Sequence, residues 1–94
     1  MWHPTQARGR AYALNTSPFT MGRSGNNLDL PFAGISRAHA SITFGDGHFV
    51  LRDEGSTNGT TLNGEPVTGK GVVPLEPGSI IGLGQGTTLR CELL

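Results

Sequence analysis

Short stretches in which apolar and polar residues alternate recur along the chain, separated by polar, glycine-rich breaks. Such alternation marks strands with one buried and one wetted face. Ala40-Ser41-Ile42-Thr43-Phe44 places Ala40, Ile42 and Phe44 on one face, and the run from His48 to Asp53 places Phe49, Leu51 and Asp53 together. Gly45-Asp46-Gly47 between them predicts a hairpin. Leu89, Cys91 and Leu93 face one way, with Thr88, Arg90 and Glu92 opposite. Asn63-Gly64 predicts a second, two-residue hairpin, because both residues tolerate positive φ. Pro66 cannot donate to a ladder, so the strand it sits in is expected at a sheet edge or very short. Glu76-Pro77-Gly78 is a further turn ahead of Ser79-Ile80-Ile81. Weaker strand patterns cover residues 12–14, 19–21, 28–30 and 72–74. No window of about 11 residues sustains helical spacing of apolar positions. The pattern predicts an all-β chain of many short strands, a sandwich or a barrel. Residues 23–27, 31–37 and 54–60 are polar or glycine-rich and are expected as loops, where binding residues concentrate.

Composition sharpens this picture. Ninety-four residues make one domain with a modest core. The 15 glycines and 6 prolines supply turns without any collagen-like period. Seven basic and seven acidic side chains cancel, and the basic ones are scattered. Electrostatic capture of nucleic acid or an anionic membrane is therefore not expected. The six aromatic residues combine with no basic stripe into a base-stacking platform. No apolar run approaches the ~18 residues of a membrane helix, and the N-terminus lacks the pattern of a signal peptide. The single cysteine, Cys91, permits no internal disulfide and reads as a small buried hydrophobe; it fits a reducing, cytoplasmic setting. Neither a metal-ligand cluster nor a P-loop is visible, so no metal and no cofactor is expected.

The loops carry the chemistry. Arg23 follows Gly22 at the end of a predicted strand and offers a planar, permanently charged fork that matches phosphate or carboxylate oxygens. Ser36 offers a hydroxyl donor, and His39 lies three residues further on. Gly55-Ser56-Thr57-Asn58-Gly59-Thr60 is crowded with hydroxyls and with residues that tolerate left-handed backbone, so it can turn amides inward to form an anion-binding nest. Each feature alone is also met in ordinary surface turns.

Together they resemble a known family. Gly22-Arg23, then Ser36-Arg37-Ala38-His39-Ala40, then Asp53-Glu54-Gly55-Ser56-Thr57-Asn58-Gly59-Thr60, then Asn63-Gly64 are similar in order and spacing to the motifs of the forkhead-associated (FHA) domain. The later segment from Leu75 to Gly84 matches as well. The resemblance covers residues 8–94, leaving 1–7 as a tail or a truncated first strand. It implies a sandwich of two β-sheets, about eleven strands in all, that binds phosphothreonine peptides through loops at one end. It implies that Arg23 and Ser36 hold the phosphate, that Thr57 adds contacts to the phosphothreonine, and that Asn58 bonds the adjacent peptide backbone. Asn63 is a further candidate contact. Arg37, with Gly34 and residues 25–27, is expected to line the region that reads the residues after the phosphothreonine. Gly22, His39 and Gly59 are expected to support the site, Gly22 by letting the chain turn and His39 by bracing the loops. Domains of this family commonly belong to larger proteins, and the same is expected here.

Two other functions stay open at this level. Ser36, His39 and Asp53 are the residue types of a hydrolytic triad, although Ser36 lacks a nucleophile elbow. A module of the same fold could instead bind folded partners without phosphate.

Overall fold

The computed structural model describes residues 2–6 and 13–93, with side chains from Ala13 to Glu92. Ten strands occur among these residues: β1 (Trp2–Gln6), β2 (Phe19–Gly22), β3 (Leu28–Asp29), β4 (Ala40–Gly45), β5 (His48–Asp53), β6 (Thr60–Leu62), β7 (Glu65–Pro66), β8 (Val72–Leu75), β9 (Ile80–Leu83) and β10 (Thr87–Leu93). They form two five-stranded sheets, ordered β1-β10-β9-β6-β7 and β3-β2-β4-β5-β8. Every pairing is antiparallel except β2 with β3. The all-β, two-sheet sandwich is as expected, with ten strands rather than about eleven. Ala13 and Leu14 are not in a strand, and Tyr12 lies outside the described residues.

The expected hairpins close on the expected turns. Asp46-Gly47 joins β4 to β5 with φ of 53° and 82°, and Asn63-Gly64 joins β6 to β7 with φ of 51° and 85°. Two successive positive φ values match the right-handed twist of the flanking strands. Pro66 sits in the two-residue β7 at a sheet edge, where its missing N–H breaks no ladder. The N-terminal segment contains β1, which pairs with β10 from Trp2 opposite Leu93 to Gln6 opposite Leu89.

The core lies between the sheets. Met21, Ile42 and Leu51 from one sheet meet Ile81, Leu83, Leu89 and Cys91 from the other, all essentially without exposure. Burial pushes the Cys91 thiol up to about 12, so it stays protonated and behaves as a hydrophobe.

Two positions depart from simple alternation. Phe44 shares the inward parity of Ala40 and Ile42, yet it is 55 % exposed, because at the hairpin tip its strand has run past the core. Its ring rests edge-on against that of Phe49, centroids 4.9 Å apart. Ser41, of outward parity, is buried beneath Glu54, to whose Oε2 its hydroxyl donates at 2.6 Å.

Because β2 and β5 both run antiparallel to β4, the loops that follow β2 and β5 meet the loop that precedes β4 at one end of the sandwich. The β9–β10 turn reaches the same end from the other sheet, its Gly84 N–H donating to Gly59 O at 3.2 Å.

Candidate functional site

Backbone bonds tie the three loops together first. Arg23 N–H donates to Ser36 O at 2.9 Å, His39 N–H to Met21 O at 3.0 Å, and Glu54 N–H to His39 O at 2.9 Å. Gly22 is needed where these strands converge, for a reason other than the expected turn. Its φ is not positive; a β-carbon there would lie 2.1 Å from Arg37 O and 2.7 Å from Asn26 Nδ2. It permits close backbone approach rather than a change of direction.

His39 is fully buried and braces two loops through its ring. Ser36 N–H donates to Nδ1 at 3.0 Å. An amide can only donate, so Nδ1 carries no proton, and Nε2 is the donor to Gly59 O at 2.8 Å. Gly59, at φ 86°, adopts a backbone few other residues tolerate and presents that carbonyl to the ring. Both expected supports, His39 and Gly59, therefore meet in one bond.

Asp53 organises the third loop. Its Oδ1 accepts from the Ser56 hydroxyl and, at 2.6 Å, from the Thr60 hydroxyl; Oδ2 accepts from the amides of Gly55 at 3.0 Å and Ser56 at 3.1 Å. Burial pushes the carboxyl up, but the Ser56, Thr60 and Gly55 donors outweigh it and hold Asp53 below the usual carboxylate range. A group depressed on folding stabilises the protein above its unfolded value, and that stability is lost as pH falls through the folded value. Thermal melts from neutral pH into acid should therefore show a fall in Tm beginning near pH 4 and steepening below it. Asp53→Asn should melt lower at neutral pH and show a shallower acid fall. An unchanged acid limb in the variant would remove Asp53 as its source.

The side chains expected to bind collect around one open concavity of about 340 Å³. Arg23, Ser36, Arg37, Thr57 and Asn58 line it, with Gly34. Two arginines and two hydroxyl-bearing residues therefore wall it, and among the described residues no acidic residue lines it. Arg23 is exposed, and among the described residues its side chain makes no hydrogen bond. Ser36 Oγ accepts the Thr57 N–H at 2.9 Å, which leaves its own hydrogen free to donate. Asn58 Nδ2 donates to Gly34 O at 3.0 Å, joining the second loop to the third.

The remaining expected contacts lie elsewhere. Asn63 is not among the lining residues; its Oδ1 accepts the Ile80 N–H at 2.9 Å, a use that pins the β6–β7 turn to β9. Residues 25–27 do not line the concavity either. Asn26 Nδ2 donates to Ser24 O at 2.8 Å and Arg37 O at 2.7 Å, and Asn27 Oδ1 accepts from Thr20 N at 2.9 Å. Short amides of this kind close their own loops.

Sequence reading missed the structural parts played by Asn26, Asp53 and Gly84. An acidic residue followed two and three positions later by amides it can cap is a legible turn signal, and Asp53-Glu54-Gly55-Ser56 carries it. Nothing local marks the other two. Ser36, His39 and Asp53 do not form a relay: the ring bonds the Ser36 amide rather than its hydroxyl, and Asp53 bonds Ser56 and Thr60.

Comparison with known proteins identifies the family of this fold. The family model described as FHA domain matches residues 19–84. An FHA domain-containing protein of Arabidopsis thaliana is 38% identical over 65 residues, 69% of this chain and 17% of that protein. FhaA of Mycobacterium tuberculosis is 40% identical over 60 residues, 63% of this chain and 11% of FhaA. The chain thus spans a small part of these relatives. The crystal structure of the FhaA FHA domain, complexed with the intracellular domain of another protein, superposes with a TM-score of 0.87 at 30% identity, covering 98% of this chain and 100% of that one. The N-terminal FHA domain of Saccharomyces cerevisiae Rad53, in complex with a phosphothreonine peptide, gives 0.87 at 25% identity over 99% and 93%. With its sandwich, its motif order and the matched span of more than half its length, the chain belongs to the forkhead-associated domain family.

Proposed function

We propose that this domain is a non-catalytic module that binds phosphothreonine-containing proteins, and that the concavity at the loop end receives the phosphorylated residue. The observation that carries the reading is the convergence of Arg23, Arg37, Ser36 and Thr57, from three separate loops, on one concavity without a carboxylate. Phosphothreonine brings about −1.5 to −2 charge and three strong acceptor oxygens. Arg23 supplies a charge-assisted fork to it, and Ser36 donates the hydroxyl hydrogen that its bond from Thr57 leaves free. The Thr57 hydroxyl reaches the same group from the third loop. Asn58, held by Gly34 through one N–H, keeps its oxygen and its second N–H for the peptide backbone. Arg37 adds positive charge at the rim. The complex of the similar Rad53 FHA domain with a phosphothreonine peptide supports the phosphothreonine reading.

Hydrogen bonds to charged groups are worth roughly 1.5–3 kcal/mol each. Several of them, less the cost of ordering an extended peptide, give micromolar affinity, about −8 kcal/mol. Because His39 and Asp53 are committed to backbone and loop partners, no base is held against the Ser36 hydroxyl, which suits recognition rather than attack.

Titration of the isotopically labelled domain with a phosphothreonine peptide, followed by NMR, tests the placement. The amides of Arg23, Ser36, Thr57 and Asn58 should shift, and that of Asn63 should not. Shifts centred on the β4–β5 hairpin, at the other end of the sandwich, would overturn it and favour a phosphate-independent docking surface.

A further inference from the structure

Gly84 lies on the β9–β10 turn, 48 positions from Ser36 and on the opposite sheet from β2, β4 and β5, yet it touches both loops that flank the concavity. Its N–H donates to Gly59 O at 3.2 Å, the same carbonyl that accepts His39 Nε2 at 2.8 Å. Its α-carbon abuts the carbonyl of Gly34: a β-carbon at Gly84 would stand 2.5 Å from that oxygen and 2.7 Å from its carbon. Real β-carbons do not come so close, and the obstacle is backbone rather than a flexible side-chain end. The same Gly34 oxygen accepts Asn58 Nδ2 at 3.0 Å.

From these contacts we infer that Gly84 is a positioning residue for peptide recognition, a keystone by which the second sheet sets the spacing between the Ser36 loop and the Asn58 loop. The inference rests on the phosphothreonine reading given above and extends it to a residue outside the concavity. The chemistry is geometric. The phosphate and the adjoining peptide backbone are gripped from different loops, so affinity depends on the distance between those loops. Only a residue without a side chain lets the turn seat against Gly34 while its amide still reaches Gly59. Adding a β-carbon displaces Gly34 and, with it, the partner that aims Asn58. The two residues at the end of β9 thus have opposite tasks: Leu83 is buried in the core, and Gly84 meets the loops.

Strain at a left-handed backbone must be separated from displacement of the loop. Gly84 has φ of 62° and Gly78, in the β8–β9 turn at the far end of β9, has φ of 87° with nothing within 4 Å of a β-carbon. Asparagine tolerates this backbone region better than other side chains. Gly84→Asn should therefore weaken phosphothreonine-peptide binding at least tenfold, measured calorimetrically below the melting transition, while Gly78→Asn should stay within about twofold of the unmodified chain. In the Asn58→Ala background the Gly84→Asn effect should shrink to less than half its logarithmic size, because the two act through one bond. Equal affinities for Gly84→Asn and Gly78→Asn, or full additivity with Asn58→Ala, overturn the inference. If Gly84→Asn does not fold, the unmodified chain decides: NMR titration with the peptide should shift the Gly84 and Gly59 amides together with those of the concavity, and an unmoved Gly84 amide counts against it. Failure of the unmodified chain to prefer the phosphorylated peptide would instead refute the functional reading beneath it.

Discussion

Arg23→Ala should lower phosphothreonine-peptide affinity at least about a hundredfold and leave the fold intact. The two halves of that expectation have separate causes. In the free domain the Arg23 guanidinium is exposed and makes no hydrogen bond among the described residues; only its backbone N–H is used, at 2.9 Å from Ser36 O. Truncating an exposed, unbonded side chain changes stability by no more than about 0.5 kcal/mol. In the proposed complex the same group would make two parallel charge-assisted bonds to the phosphate, at roughly 1.5–3 kcal/mol each, and tenfold in affinity is about 1.4 kcal/mol. Arg23→Lys keeps the charge but loses the planar fork, so it should recover only part of the loss. Calorimetry with a phosphorylated peptide, paired with a thermal melt, reads both halves. Loss of binding together with unfolding would make Arg23 structural, and binding within threefold of the unmodified domain would remove it from the site.

His39→Ala should have the largest effect on stability of any single change at this end of the sandwich. The side chain is fully buried, and its two ring nitrogens join the Ser36 amide to the Gly59 carbonyl. Truncation leaves the half-buried Ser36 amide without its acceptor, deprives Gly59 O of one of its two donors, and opens a cavity. We expect a cost of about 3 kcal/mol, and a Tm lowered by roughly 12–24 °C for a domain of this size. Urea unfolding measures it directly. Peptide affinity should fall as well in whatever fraction remains folded, since Ser36 and Gly59 would no longer be held in register. A change below about 0.5 kcal/mol would mean the ring fills space without bracing the loops.

Much of this architecture was legible in the chain because its determinants are local. Asp46-Gly47 and Asn63-Gly64 specify their turns through backbone freedom, and the period-2 runs at β4, β5 and β10 specify which face is inward. The residues around the concavity were legible because Arg23, Ser36, Thr57 and Asn58 occur in ordered motifs. What was not legible depends on contacts between segments distant in sequence. Gly22 reads as a turn residue until Arg37 O is seen against it, and Gly84 reads as an ordinary strand end until Gly34 is. The amides of Asn26, Asn27 and Asn63 look wholly free in the sequence, and only the folded chain shows Asn26 Nδ2 bonded to Arg37 O and the oxygens of Asn27 and Asn63 taken up by the amides of Thr20 and Ile80. Phe44 shows the limit of alternation itself: parity assigns a face but not the point along the strand where the opposite sheet ends.

The most direct test is a pair of calorimetric titrations of the unmodified domain with one peptide sequence, its threonine phosphorylated in one sample and free in the other. If the loop-end concavity is a phosphate receptor, the phosphorylated peptide binds in the micromolar range and the free one gives no measurable heat of binding. Equal affinity for both peptides would contradict it.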